Sequence, residues 1–296
     1  MKAFTYFIFR FLVNLVGNLS DKNLYRLSKG VKVLIYNILG YRKKVTLSNL
    51  SRAFPNKSTE ELKSISNQYY QNLSDIIIET FASYNWSLER MGEHFNFINI
   101  EILKPYLEKN QKILCVASHT GNFEIGAVLI PEQIKTPSYS VYKEFANPRL
   151  EHEIVSKRSR TGLHLATTKQ IKPLIASMQE PGILFLIADQ NPSVIQKAYW
   201  INFFNQDTAF VHGPANIAKE YNMPVFYADT KKIRKGYYES TISLITSDPS
   251  SHTHEEITAL FAGKLEQSLR ERPDNWLWSH KRWKWKRNQG EFIRIP

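Results

Sequence analysis

Apolar positions along the 296-residue chain change their period near residue 90, and that change separates a helical front from a body in which strands and helices alternate. From Thr59 to Ala82 the residues Leu62, Ile65, Tyr69, Leu73, Ile76, Ile77 and Phe81 recur every three or four positions, the spacing of one helical face. Thr59 can cap that helix, and Glu60 and Glu61 stand in its first turn, where carboxylates suit the positive end of the helix dipole. Beyond residue 90, short apolar runs bounded by turn residues predict strands at 112–118, 138–143, 182–189, 224–229 and 237–246. Helices are expected at 122–130, 146–160, 170–179, 213–221 and 254–270. The alternation predicts an α/β fold with a mixed, mostly parallel sheet flanked by helices. No repeat, low-complexity stretch or Gly/Ser-rich linker divides the body.

The first twenty residues follow a different pattern. Residues 4–19 are apolar except where Arg10, Asn14 and Asn18 fall at four-residue spacing on one helical face, while Phe4, Phe7, Phe11, Leu15 and Leu19 line another. The run falls short of the roughly 20 apolar residues a span requires, and no small-x-small cleavage site follows it. A core helix, an interfacial anchor or a short span all fit. Residues 31–39 stay apolar and lead into Arg42, Lys43 and Lys44, a cluster that suits an anionic cytoplasmic leaflet. Residues 1–40 are therefore expected to form a membrane-associating anchor, and 41–296 a single α/β domain.

Charge points in the same direction. The chain carries 39 Lys and Arg against 27 Asp and Glu, a formal net charge of +12, and 13% of its residues are aromatic. Such a balance suits either nucleic acid or an anionic membrane surface. The segment 280–287, HKRWKWKR, interleaves Trp283 and Trp285 with cations and could meet nucleic acid, lipid headgroups or an acidic carrier protein. No nucleic-acid motif accompanies it, which favours lipid or carrier. Cys115 is the chain's one cysteine, so no intramolecular disulfide or Cys-based metal cluster forms, and its apolar neighbours make it a small buried hydrophobe. His252 and His254 form H-x-H without nearby cysteine or clustered carboxylates, the polar start of a helix rather than a metal site.

The stretch from Cys115 to Glu124, CVASHTGNFE, carries the chemistry. An apolar strand ends at Ser118, His119 stands at its carboxyl end, Gly121 permits a tight turn, and a helix begins with Glu124 in its first turn. Ligands in open α/β sheets bind at the carboxyl ends of strands. A carboxylate five residues after the histidine can fold back to accept the Nδ1 proton, leaving Nε2 as a base for a hydroxyl or amine. H-x4-E by itself fits a capping histidine as well as a catalytic one. The signatures of serine hydrolases, P-loop proteins and dinucleotide-binding folds are absent from the sequence.

Seven blocks in order carry a resemblance: RKKVTLSNLSRAFPN (42–56), SHTGNFE (118–124), VYKEFANPRLE (141–151), KRSRTG (157–162), LIADQNP (186–192), HGPANIAKEYNMPV (212–225) and RPDNWLWSHKRWK (272–284). Together they resemble the lipid A biosynthesis acyltransferases, the lauroyl/myristoyl transferases of the wider lysophospholipid acyltransferase superfamily. The resemblance implies an enzyme on the cytoplasmic face of the bacterial inner membrane that needs neither cofactor nor metal. It would move a fatty acyl chain from acyl carrier protein or acyl-CoA to a hydroxyl of an anionic lipid A precursor. It makes His119 the general base and Glu124 its orienting partner. Gly121 and Asn122 would shape the turn and help hold an oxyanion. Arg158 and Arg160 would recognise phosphate, and Asp189 matches an acidic site position. Residues 189–215 depart from the best-known members, so an aminolipid or lysophospholipid acceptor stays open. The reading from another class is a non-catalytic basic protein that binds membrane surface or nucleic acid.

Overall fold

In the computed structural model, which describes residues 2–288 and 291–294, the helical front comprises α1 (Lys2–Gly17), α2 (Asp21–Lys32), α3 (Lys43–Ala53), α4 (Thr59–Ser83) and α5 (Leu88–His94). Ser58, not Thr59, caps α4: its side chain accepts from the Glu61 N–H and the Glu61 carboxylate accepts from the Ser58 N–H. This reciprocal arrangement satisfies two otherwise unpaired donors. The body continues through β1 (Phe95–Ile98), α6 (Lys104–Leu107), β2 (Lys112–Ala117), α7 (Phe123–Ile134), β3 (Ser138–Tyr142), α8 (Pro148–Ser159) and β4 (His164–Thr167). Next come α9 (Ile171–Ala176), β5 (Gly182–Ile187), β6 (Tyr199–Phe203), β7 (Gln206–Phe210) and α10 (Gly213–Glu220). The chain closes with β8 (Val225–Arg234), β9 (Tyr237–Thr246), α11 (His254–Glu271), β10 (Trp285–Asn288) and β11 (Glu291–Arg294).

Seven strands form one mixed, mostly parallel sheet in the order β1-β9-β8-β2-β5-β3-β4. The five strands from β8 to β4 run parallel, β9 lies antiparallel to β8, and β1 joins parallel to β9. The central strands are apolar runs because helices cover both faces. One face packs Leu114, Val116, Leu184 and Leu186 against Phe261 and Leu265 of α11. The other packs Ile113, Cys115, Ile183 and Phe185 against Ile130 and Ile134 of α7. Burial among them pushes the Cys115 thiol well above its ordinary value, so it stays a protonated hydrophobe.

Two small hairpins, β6–β7 and β10–β11, lie outside the main sheet. The β6–β7 turn is made by Phe204 and Asn205, both left-handed with φ of 53° and 55°. That backbone suits a tight hairpin, but no glycine advertises it in the sequence. Part of the basic tail is also core. Arg282 is buried, donates from Nη1 to the Ala209 carbonyl at 2.7 Å and lies over the Phe210 ring, and burial lowers its guanidinium to about 9. Trp283 donates from Nε1 to Thr208 Oγ1.

In α1 the face that packs is not the phenylalanine face. Val13, Val16 and Gly17 are buried, and a Cβ on Gly17 would stand 2.5 Å from the Asn85 Cβ, so the close approach beside the end of α4 needs glycine. Phe4, Phe7 and Phe11 stay 67%, 65% and 65% exposed, with Leu15 beside them, and Ile38 and Leu39 after α2 are exposed as well. Among the described residues no helix is long and apolar enough to cross a membrane.

Candidate active site

Strands β2 and β5 are parallel neighbours whose last in-register pair is Ala117 with Ile187, and the ladder continues with the Ala188 N–H donating to the Ala117 carbonyl. His119 and Asp189 each follow two residues after that pair, so the sheet itself brings them together. His119 Nδ1 and Asp189 Oδ1 are 2.8 Å apart. Asp189 is 1% exposed, and its second oxygen accepts from Trp276 Nε1 at 2.7 Å. With Nδ1 donating to a carboxylate, Nε2 is the accepting nitrogen. It meets the Gln190 amide at 3.3 Å. Burial pulls the imidazole's pKa down, but the charge and hydrogen bond of Asp189, with the charge of Glu124, outweigh it and hold the ring above its ordinary value. Burial likewise pushes the Asp189 carboxyl up, and His119 and Trp276 together bring it below the usual carboxylate range.

Glu124 has a different partner from the one the spacing suggests. Its carboxylate accepts from Arg158 Nε at 2.8 Å and Nη2 at 2.5 Å. The expected Glu124–His119 hydrogen bond is therefore replaced by His119–Asp189, because α7 starts at Phe123 and carries Glu124 against α8. Two donors of Arg158 are thereby committed. Arg160 donates to the carbonyls of Ser83 and Tyr84 at the end of α4 and also contacts the Met91 sulfur.

The turn between His119 and α7 is held by residues from far along the chain. Gly121 has φ of +53°, and a Cβ there would meet Thr230 Cγ2 at 2.7 Å. Its N–H donates to Asn275 Oδ1 at 3.2 Å, while Asn275 Nδ2 donates to the Thr230 carbonyl. The Gly121 N–H is thus engaged by the Asn275 side chain. Asn122 caps α7, accepting from the Ile125 N–H, and donates from Nδ2 to Glu79 Oε2 at 2.9 Å. Glu79 is fully buried and also accepts from the Tyr238 and Tyr25 hydroxyls. Burial, opposed by Asn122 and Tyr238, raises its carboxyl.

Beside the imidazole opens a cleft of about 50 Å³ lined mainly by Tyr69, Leu73, Ile76, Phe123 and Trp276. Its wall is mostly apolar. The residues that the sequence pattern missed are Glu79, Asn275 and Trp276. Glu79 carried a readable signal, since Asp75 and Glu79 fall four apart on the buried stripe of α4. Asn275 and Trp276 lie in the block 272–284, but nothing local marks their partners Gly121 and Asp189, 154 and 87 residues away.

An imidazole held at Nδ1 by a buried carboxylate, with Nε2 beside an apolar cleft at two strand ends, is the candidate site of this α/β protein. The chain belongs to the bacterial lipid A biosynthesis acyltransferase family, whose model matches residues 1–285, and it is an acyltransferase. It is similar to the lipid A biosynthesis lauroyltransferase of Escherichia coli (strain K12), 23% identical over 273 residues covering 91% of this chain and 88% of that one. It is also similar to a lipid A biosynthesis acyltransferase of Haemophilus influenzae, 23% identical over 248 residues, 82% of this chain and 78% of the relative.

Proposed function

We propose that this acyltransferase moves a fatty acyl chain from a thioester carrier, acyl carrier protein or acyl-CoA, to a hydroxyl of a lipid A precursor, working from the cytoplasmic face of the inner membrane. The observation that carries the reading is the chain of contacts Trp276–Asp189–His119, which fixes the imidazole tautomer and leaves Nε2 to accept. His119 takes the acceptor's hydroxyl proton as the oxygen attacks the thioester carbonyl. The tetrahedral intermediate expels the carrier sulfur, and the imidazolium returns its proton to give free thiol and ester. Asp189 stabilises the imidazolium. Glu124 is a positioning residue that acts through Arg158 and adds its charge to the field at His119. The Gln190 amide leaves Nε2 when the hydroxyl arrives and is then free to donate to the developing oxyanion.

Transfer of radiolabelled acyl chain from acyl carrier protein to a lipid A precursor, by wild type and His119→Ala, tests the reading. Loss of about 10²–10⁴ in rate is expected of a missing general base. Equal transfer by a folded His119→Ala protein would sink the mechanism.

A further inference from the structure

Several buried or half-buried cations of this chain meet its own carboxylates. Lys232 and Lys235 meet Asp75, Arg272 meets Asp229, and Arg158 meets Glu124. One cluster does not. A groove of about 320 Å³ between α3 and residues 281–284 gathers Lys44, Arg52, Lys281 and Lys284, and no acidic side chain lines it. Among the described residues none of these four cations forms an ion pair with a carboxylate. Like charges crowded into a concave surface repel, and an anion removes that repulsion.

The walls are built in advance of any ligand. Asn49, 5% exposed, donates from Nδ2 to the carbonyls of Trp278 at 2.8 Å and His280 at 2.7 Å, and Arg52 Nη1 donates to the Trp283 carbonyl at 3.3 Å. These bonds clamp α3 to a segment about 230 residues later and hold the cations in place. A chain of contacts links the groove's wall to His119. The Lys281 carbonyl accepts from Asn191 Nδ2 at 2.7 Å, Asn191 also contacts His280 Nε2, and the preceding Gln190 meets His119 Nε2.

We propose that this groove is a phosphoryl-binding site that anchors the phosphate of a substrate while its reacting end lies at His119. Point-charge lysines, an arginine fork and the Ser48 hydroxyl supply the donors a tetrahedral oxyanion takes. The concave shape suits one compact anion better than the flat face of an acidic protein. Resting on the acyltransferase reading, the phosphate belongs either to the phosphopantetheine arm of the donor or to a phosphorylated sugar of the acceptor.

The test uses the full chain and K44Q/K281Q/K284Q, whose altered side chains make no hydrogen bond within the described protein. Calorimetric titration with inorganic pyrophosphate needs no turnover. Saturable binding by wild type, weakened at least about tenfold in the triple variant, supports the site. Absent binding, or equal binding by both proteins, overturns it. Kinetics then locate the source, comparing kcat/KM for the acceptor with and without its phosphates, and for acyl-CoA against phosphate-free acyl-pantetheine. The substrate whose phosphate preference collapses in the variant is the one the groove anchors, and preferences that persist unchanged overturn the proposal. A protein that binds pyrophosphate in this groove but transfers no acyl chain would sink the acyltransfer reading and leave the site standing.

Discussion

Arg158 closes on Glu124 through two parallel contacts, Nε to Oε2 at 2.8 Å and Nη2 to Oε1 at 2.5 Å, and so staples α8 to the helix that begins four residues after His119. Both side chains are largely buried, at 17% and 14% exposure. Removing one partner leaves the other charge desolvated and alone, which in a buried pair costs about 3–5 kcal/mol. Glu124→Leu and Arg158→Met are each expected near the low end of that range, because some solvent reaches both groups. The double variant Glu124→Leu/Arg158→Met should be more stable than either single one. Urea unfolding of the four proteins checks this, and strictly additive losses would contradict the coupling.

Asp189 determines both the tautomer and the protonation of His119. A base must be neutral, and the Asp189 charge holds the ring protonated to higher pH than a free imidazole, so wild-type kcat/KM should rise with pH along a limb centred above 6.5. In Asp189→Asn the Asp189 charge and its hydrogen bond are gone and burial is opposed only by the charge of Glu124, so the limb of the residual activity should move to lower pH than in wild type. Its kcat should fall by roughly 10²–10⁴ through loss of the correct tautomer. A pH–rate profile of the variant that overlays wild type would rule out this role.

Glu79 anchors the turn from beneath. Glu79→Ala would strand the donors of Asn122, Tyr238 and Tyr25, each buried unpaired donor costing about 1–3 kcal/mol. A total near 3 kcal/mol is expected after partial relaxation. Thermal unfolding would reveal it, and a Tm within a degree of wild type would show that the network carries little.

The exposed phenylalanine stripe of α1 makes a prediction about location. Phe4→Ser/Phe7→Ser/Phe11→Ser replaces side chains that touch solvent, so the change in folding stability should stay within about 0.5 kcal/mol per site. On the membrane-anchor reading each lost ring weakens interfacial insertion, and the variant should move to the supernatant after sedimentation of membranes. Undiminished recovery in the pellet would exclude the stripe as the anchor.

The α/β alternation was legible because the strands β2 and β5 are continuous apolar runs and helices such as α11 carry a clear face. The hairpin at Phe204 and Asn205 was hidden because its left-handed turn is made without glycine. At the site, the strand-end position of His119 was visible, and so was that of Asp189. Which carboxylate meets Nδ1 was not. Sequence proximity favoured Glu124, five residues away, whereas the register of two parallel strands brings in Asp189 from 70 residues away. Nearness along the chain misleads when the intervening turn starts a helix that carries the nearer residue elsewhere. The basic tail held a second surprise, for Arg282 and Trp283 belong to the core while their neighbours Lys281 and Lys284 line the groove.

The indole of Trp276 that steadies Asp189 is synthesised 87 residues after the aspartate it holds. A nascent chain leaving the ribosome therefore carries histidine and aspartate well before it carries the group that fixes their geometry. Until synthesis passes residue 276 the Asp189 carboxylate lacks its indole donor, so a chain stopped short of it lacks that fixed geometry even when its sheet has formed.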